Sequence, residues 1–371
     1  MKNSISRKSF IRQSATLFGG ALVAPYARLS AFSANKERRL IRMMYNENPY
    51  GPSQIAQRAM QKAFSESNLY TMRIARTQFA DLVADLNNVD SNKITVGFGS
   101  REILNKAAMM NGLDNGEMVS PRLTFEAINQ YAKSAMNTKI IRVDMNDEMH
   151  IDLDKMASSI TKDTKMVYVC NPNNPTGLAL DSNQLESFCK EVSKKIVVFV
   201  DEAYHEYAIG DGYKTMTHLV NSNNKIIVSR TASKVHGLAG LRVGYAISST
   251  KVAPRLKSYL NGSLNVVGLR AAIASYSDDR FQEFSIRKNN QARKIVTDHL
   301  DKKDIKYLPS HTNFIFLKTG MDINKFQPAM EKYGVKVGRP FPPYNNWCRL
   351  SMAKPEEMKF FNRGLDKVLR V

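Results

Sequence analysis

Three apolar runs in the middle of the chain each break off into polar residues, and this pattern restricts the fold more than any other feature. Lys165-Met-Val-Tyr-Val-Cys170 leads into Asn171-Pro-Asn-Asn-Pro-Thr-Gly177, Lys195-Ile-Val-Val-Phe-Val200 into Asp201-Glu-Ala-Tyr204, and Lys225-Ile-Ile-Val-Ser229 into a longer tail that ends at Arg242. A continuous apolar run suits a strand buried on both faces of a parallel sheet. Open α/β sheets bind ligands beyond the carboxyl ends of their strands, so three such tails converge on one pocket.

The third tail carries the chemistry. Thr231, Ser233, Lys234 and Arg242 gather around a glycine-containing turn. One amine, two hydroxyls and a guanidinium suit a phosphorylated aldehyde: the amine forms a Schiff base and the rest hold the phosphate. Pyridoxal 5'-phosphate (PLP) is that aldehyde. With an opening Asn46-Glu-Asn-Pro-Tyr-Gly-Pro52, the order and spacing of these motifs resemble the fold-type I PLP enzymes. More closely, they resemble class I and II aminotransferases of the histidinol-phosphate aminotransferase type, from about Asn46 to the end.

The alternation of strand-like and helical stretches over residues 68–260 reads as α/β, a mostly parallel sheet covered on both faces. Strand candidates lie at 93–96, 117–119, 139–143, 166–170, 196–200, 226–229 and 243–247, with helices near 101–110, 125–135, 182–192 and 252–260. After residue 260 the rhythm changes to helices around 268–276 and 279–302, strand-like 313–317, 335–337 and 348–351, and a helix near 323–333. The resemblance implies a PLP-dependent transferase fold of type I. A large PLP-binding domain (68–260) with a seven-stranded sheet stands beside a small α+β domain (261–371), to which an arm and helix (35–67) contribute. Ser53 is the expected cap of that helix.

Residues 1–34 differ in kind. A basic start (Lys2 to Arg12) precedes an apolar stretch and the small-residue run Ser30-Ala-Phe-Ser-Ala34, the order of an export signal. Ser6-Arg-Lys-Ser-Phe-Ile-Arg12 resembles the twin-arginine signal, with Lys8 in place of the second arginine. The apolar stretch is too short and glycine-rich for a stable membrane span. Location is expected to be periplasmic or exported if this signal is used, and cytoplasmic otherwise; an arm packing on a partner subunit is the competing reading.

The net charge of +20 raises the question of nucleic acid. Five basic residues precede position 35, and the remainder, 49 basic against 34 acidic, is scattered. With no nucleic-acid-binding motif, a solvated basic surface is expected and no nucleic-acid partner. The three cysteines lack metal-ligand spacing, and no metal is expected.

The resemblance implies roles residue by residue. Lys234 makes the Schiff base and serves as acid and base. Asp201 pairs with the cofactor's ring nitrogen, and Tyr204 and Asn174 meet its phenolic oxygen. Gly99, Ser100 and Arg101, between a strand and a helix, offer backbone N–H groups to the phosphate, joined by Thr231, Ser233 and Arg242. Arg101 stands where the family usually has an acid. Phe125 stacks on the ring, although Pro121-Arg-Leu-Thr-Phe125 has extra residues before the aromatic. Tyr70 corresponds to the tyrosine that reaches across a homodimer to the partner's phosphate, with Thr71 where a proline is usual. Arg349 forks onto the substrate carboxylate, and Arg339 and Tyr50 help to hold substrate. His236, two residues from Lys234, reads as structural.

The implied reaction is ping-pong amino transfer from a donor such as histidinol phosphate to a 2-oxo acid such as 2-oxoglutarate. A decarboxylase or lyase of the threonine-phosphate decarboxylase type, and an aromatic amino acid aminotransferase, share nearly all these motifs.

Overall fold

A computed structural model describes residues 40–210, 212–222, 225–259 and 262–370; the signal-like segment 1–34 lies outside the described residues. Strands follow in chain order: β1 Ile41–Met43, β2 Ile94–Phe98, β3 Glu117–Pro121, β4 Ile140–Val143, β5 Thr164–Cys170, β6 Val197–Asp201, β7 Ile226–Thr231, β8 Val243–Ser248, β9 Phe314–Lys318, β10 Val335–Val337 and β11 Trp347–Ser351. β2 to β8 form one seven-stranded sheet in the order β2-β8-β7-β6-β5-β3-β4. Only β8 runs against its neighbours. The sheet and everything described below belong to one compact unit, Ile41–Val371.

The central strands are buried end to end because their sequences are apolar on both faces: all six residues of β7 and all six of β8 are buried. Helices cover both sides. Register places the polar tails side by side, with Cys170 opposite Asp201 and Asp201 opposite Ser229. β2 ends directly in the helix Gly99–Leu113, so that helix points its N-terminus at the same sheet edge.

A second core gathers around β9 and β11, which pair antiparallel, and β1 and β10, which pair parallel. The long helix Asp279–Lys302 and the helices Ile323–Lys332 and Pro355–Leu369 pack there through Val296, Phe326 and Phe361. The arm divides between the two cores. Met43 joins the second, whereas Ala56, on the helix Gln54–Ala63, packs in the sheet's core with Leu269 and Ala272 of Val266–Tyr276. Ser53 caps its helix, its hydroxyl accepting from Ala56 N at 3.2 Å.

Sequence periodicity left Met72–Leu86 and Pro355–Leu369 unnamed. The second carried a usable signal: Pro355 opens it, and the Glu357 carboxylate accepts from Lys354 N at 3.0 Å. Phe125 falls before its helix, which begins at Ala127, and this leaves the ring facing the pocket. Among the described residues no helix is long and apolar enough to cross a membrane.

Candidate active site

The carboxyl ends of β5, β6 and β7, the first turn of Gly99–Leu113, residues 44–47 of the arm, and Arg339 and Arg349 enclose a cavity of about 690 Å³. Its floor is Asp201, 1% exposed. The Asp201 carboxylate accepts from the Ser229 hydroxyl at 2.9 Å and from the Tyr168 hydroxyl at 3.3 Å. Burial pushes its pKa up to about 6, and those two donors hold it from rising further. Such a carboxylate has most to gain from a cationic N–H presented to it.

Lys234 leaves the end of β7 and crosses the cavity. Its amine lies 3.4 Å from Tyr45 O, 3.3 Å from Asn46 O and 5.5 Å from the centre of the Tyr204 ring. Burial first, then the charge of Arg349, lower its pKa to about 8, against the pull of Glu47 and Asp201. A lysine in that range is a usable nucleophile and base near neutral pH. The arm is pressed onto the loop that bears it: Asn48 Nδ2 donates to Val235 O at 2.7 Å, and a Cβ on Gly237 would lie 2.2 Å from Gly51 O.

The Tyr204 hydroxyl accepts from Asn46 Nδ2 at 2.8 Å and Asn174 Nδ2 at 3.3 Å, which leaves its own proton free to be donated into the cavity. Burial raises its pKa and keeps it protonated. Opposite stands Arg349 on β11, 7% exposed, donating to Asn174 Oδ1 at 2.8 Å and Met44 O at 2.5 Å. Its Nε is buried without a partner. Arg339 also faces the cavity, its guanidinium 4.2 Å from the Phe341 ring centre.

At the far end the residues form an anion cradle. Thr231 donates to the Ser233 hydroxyl at 2.9 Å, and Arg242 Nη1 reaches that oxygen at 3.3 Å. Burial and neighbouring Arg101 both lower the Arg242 pKa, and no carboxylate offsets them. Gly99, at φ +69°, lets the guanidinium approach: a Cβ there would lie 2.3 Å from Arg242 Nη2. Two guanidiniums, two hydroxyls and helix N-terminal amides at one place fit a phosphate.

Ser100, Arg101, Phe125, Asn174, Asp201, Tyr204, Thr231, Ser233, Lys234, Arg242, Arg339 and Arg349 therefore meet at one cavity, with Gly99 behind Arg242. Tyr50 does not, and Tyr70, expected at a partner subunit's phosphate, lies outside this cavity. Tyr50 packs edge-on against Phe284 at 4.9 Å and lies outside the lining, because the arm turns it away after Asn48. Tyr70 precedes the helix Met72–Leu86 and is 90% exposed. His236 is fully buried, stacked on Tyr276 at 3.8 Å and 3.0 Å from the Ser275 hydroxyl, away from the cavity. Asn46, Glu47 and Gln327 also line the cavity, and Tyr168 and Ser229 stand behind Asp201, with no role assigned to them by the sequence motifs. Ser229 was within reach, since aligning the strand ends sets it opposite Asp201.

The family model for aminotransferase class I and II matches residues 38–361. Histidinol-phosphate aminotransferase 1 of Idiomarina loihiensis is 31% identical over 342 residues, which cover 89% of this chain and 90% of that protein. The histidinol-phosphate aminotransferase of Halalkalibacterium halodurans is 31% identical over 86% of both chains. Among solved structures, a putative histidinol-phosphate aminotransferase from Erwinia carotovora atroseptica superposes with a TM-score of 0.85 at 30% identity, covering 89% of this chain and 96% of that one. Histidinol-phosphate aminotransferase from Sinorhizobium meliloti, solved in complex with pyridoxal-5'-phosphate, shares the fold with a TM-score of 0.82 at 22% identity, covering 100% and 96%. The cavity's lysine, carboxylate and anion cradle lie within the matched residues, and the chain belongs to the class I and II aminotransferases.

Proposed function

We propose that this aminotransferase takes the amino group of a phosphate-bearing primary amine of the histidinol phosphate type and passes it to a 2-oxo acid such as 2-oxoglutarate, in two half-reactions at one site. The cofactor is pyridoxal 5'-phosphate, which when bound supplies an aldehyde for the amine and a ring that accepts the electron pair left at the substrate Cα. The chain supplies the rest. Lys234 Nζ would take the proton from the substrate Cα and hold it for return; Asp201 would pair with the ring nitrogen, Tyr204 and Asn174 with the phenolic oxygen, and Phe125 would cover the ring. Gly99, Ser100, Arg101, Thr231, Ser233 and Arg242 hold the phosphate.

One observation carries the substrate reading. Arg349 is buried with an unpartnered Nε, and Arg339 stands on the same wall. Two guanidiniums in the cavity that holds the lysine suit anionic substrates at both half-reactions, a carboxylate in one and a phosphate in the other. The test is a screen of the purified enzyme with histidinol phosphate, aromatic amino acids and phosphothreonine, each with 2-oxoglutarate. Glutamate formed fastest from histidinol phosphate is the expected result. Preference for an aromatic donor would overturn the donor, and CO₂ release in place of glutamate would overturn amino transfer.

Two predictions concern the cradle. Gly99→Ala places a Cβ against Arg242 at a left-handed backbone position. Displacing a charge-assisted contact costs about 2 kcal/mol, roughly thirtyfold in PLP affinity, while the strained backbone lowers the stability of the fold. Fluorescence titration of the cofactor-free protein measures it.

Tyr70 is exposed, as are the nearby apolar residues Phe64, Leu69 and Ile74, and this supports a homodimer in which Tyr70 reaches the partner's phosphate. Tyr70→Phe then weakens PLP binding by about tenfold, one hydrogen bond to a charged group. Unchanged affinity in a protein that sediments as a dimer would refute the reach.

The basic, apolar and small-residue order of residues 1–34 supports export. Sequencing the mature N-terminus after expression in a Gram-negative host tests this. An intact Met1 in the cytosol would end it.

A further inference from the structure

Residues 44–46 of the arm present successive carbonyls to two cations. Met44 O accepts from Arg349, Tyr45 O and Asn46 O from Lys234. Asn46 is the hub of this segment. It is 1% exposed and sits at φ 56°, in the left-handed region that asparagine enters more readily than other residues bearing a Cβ. Its carboxamide donates to the Tyr204 hydroxyl at 2.8 Å and accepts from the Ser351 hydroxyl at 2.8 Å, while its own N–H donates to the same serine oxygen at 2.8 Å. Its carbonyl also accepts from Asn313 Nδ2 at 3.0 Å. Ser351 lies two residues beyond Arg349 on β11, so one asparagine is tied to the strand of the substrate arginine, to the catalytic amine and to the phenol.

We propose that Asn46 is a positioning residue for amino transfer with two separable tasks: its left-handed backbone turns the carbonyls of residues 45 and 46 onto the Lys234 amine, and its carboxamide holds the Tyr204 hydroxyl. The proposal rests on Lys234 being the reacting amine. The carbonyls give the ammonium form of Lys234 a dock whenever it carries the substrate proton, and this keeps the proton beside the atoms it must return to. The other charged groups facing Lys234 are Arg349, Glu47, Asp201 and Arg242, with the Tyr204 ring alongside. All of them are unaltered in Asn46 variants, so a change in Lys234 titration reports the carbonyls.

Two substitutions separate the tasks. Asn46→Gly keeps left-handed backbone at no steric cost and removes the carboxamide; Asn46→Ala removes the carboxamide and also strains that backbone. The first measurement uses cofactor-free protein, an amine-directed acylating reagent and peptide mapping across pH. Wild type and Asn46→Gly are expected to label Lys234 with one common midpoint. Asn46→Ala, losing acceptors that favour the charged form, is expected roughly half a unit to one unit lower. The second is kcat with the loaded enzyme: about tenfold lower in Asn46→Gly, which loses the hydrogen bond that holds the Tyr204 hydroxyl along with the one from Ser351, and lower again in Asn46→Ala.

Midpoints common to all three proteins, or full kcat in Asn46→Gly, would overturn the proposal. Borohydride reduction with PLP distinguishes the cause. An adduct on another peptide in wild type overturns the Lys234 reading as well, whereas an adduct on Lys234 in every protein confines the failure to Asn46.

Discussion

Lys234→Ala abolishes turnover while leaving a folded protein that still collects cofactor. The substitution removes the amine proposed to capture the aldehyde and to act as base at Cα. Positioned acid–base catalysis contributes up to about 10⁴-fold, and the lost covalent attachment adds to this, so kcat falls by at least roughly that factor. The anion cradle of Thr231, Ser233 and Arg242 is untouched, because none of its hydrogen bonds involves Lys234. PLP therefore binds the variant noncovalently, and borohydride attaches nothing to the peptide. Steady-state assays with equilibrium dialysis measure both quantities, and residual activity within a hundredfold of wild type would place the chemistry on another group.

The wild type carries a matching pH signature. Buried beside Arg349, the Lys234 amine titrates near pH 8 rather than at its usual 10.5. Capture of PLP by the cofactor-free protein should quicken with pH until about 8 and then level off. An ordinary lysine would go on gaining through pH 10.

Asp201→Asn is expected to act in opposite directions on catalysis and on the cofactor-free fold. With the carboxylate gone, the ring nitrogen loses the partner that keeps it protonated. Breaking a buried charge pair costs about 3–5 kcal/mol, so kcat falls roughly 10²- to 10⁴-fold. Before cofactor binds, however, the same carboxylate is a liability. Its pKa rises on folding, through burial, from 3.8 to about 6. Below pH 3.8 the group is neutral in both folded and unfolded chains and costs nothing; between 3.8 and about 6 the unfolded chain releases its proton while the folded protein keeps it, and stability drops. The shift corresponds to about 3 kcal/mol, fully present above pH 6.

Cofactor-free Asp201→Asn lacks this loss, since the Tyr168 and Ser229 hydroxyls can turn to serve either amide atom. It should be the more stable protein at pH 7.5, and the difference should vanish toward pH 4. Thermal unfolding of both proteins across that range checks the sign, and parallel curves would remove the argument.

How much of this lay open in the residue order follows from how each part is held. The strands at β5, β6 and β7 were legible because an apolar run closed by polar residues reports burial on both faces, and that is a local property. Once those strands lie parallel, register alone puts Cys170, Asp201 and Ser229 on one line, and Lys234 follows a few residues past the end of β7. Arg349 entered only through resemblance to a family, because nothing local distinguishes it from the other arginines of a strongly basic chain.

Asn46 shows what the residue order could not convey. Its partners Tyr204 and Ser351 are 158 and 305 positions away, and they meet it because β1 pairs with β10 and draws the arm across the mouth of the sheet. The same folding turned Tyr50 out against Phe284. Hydrophobic period acts over a few residues and so writes strands, helices and strand-end motifs directly into the chain. Contacts between distant segments depend on how finished elements pack, and only the folded molecule decides them.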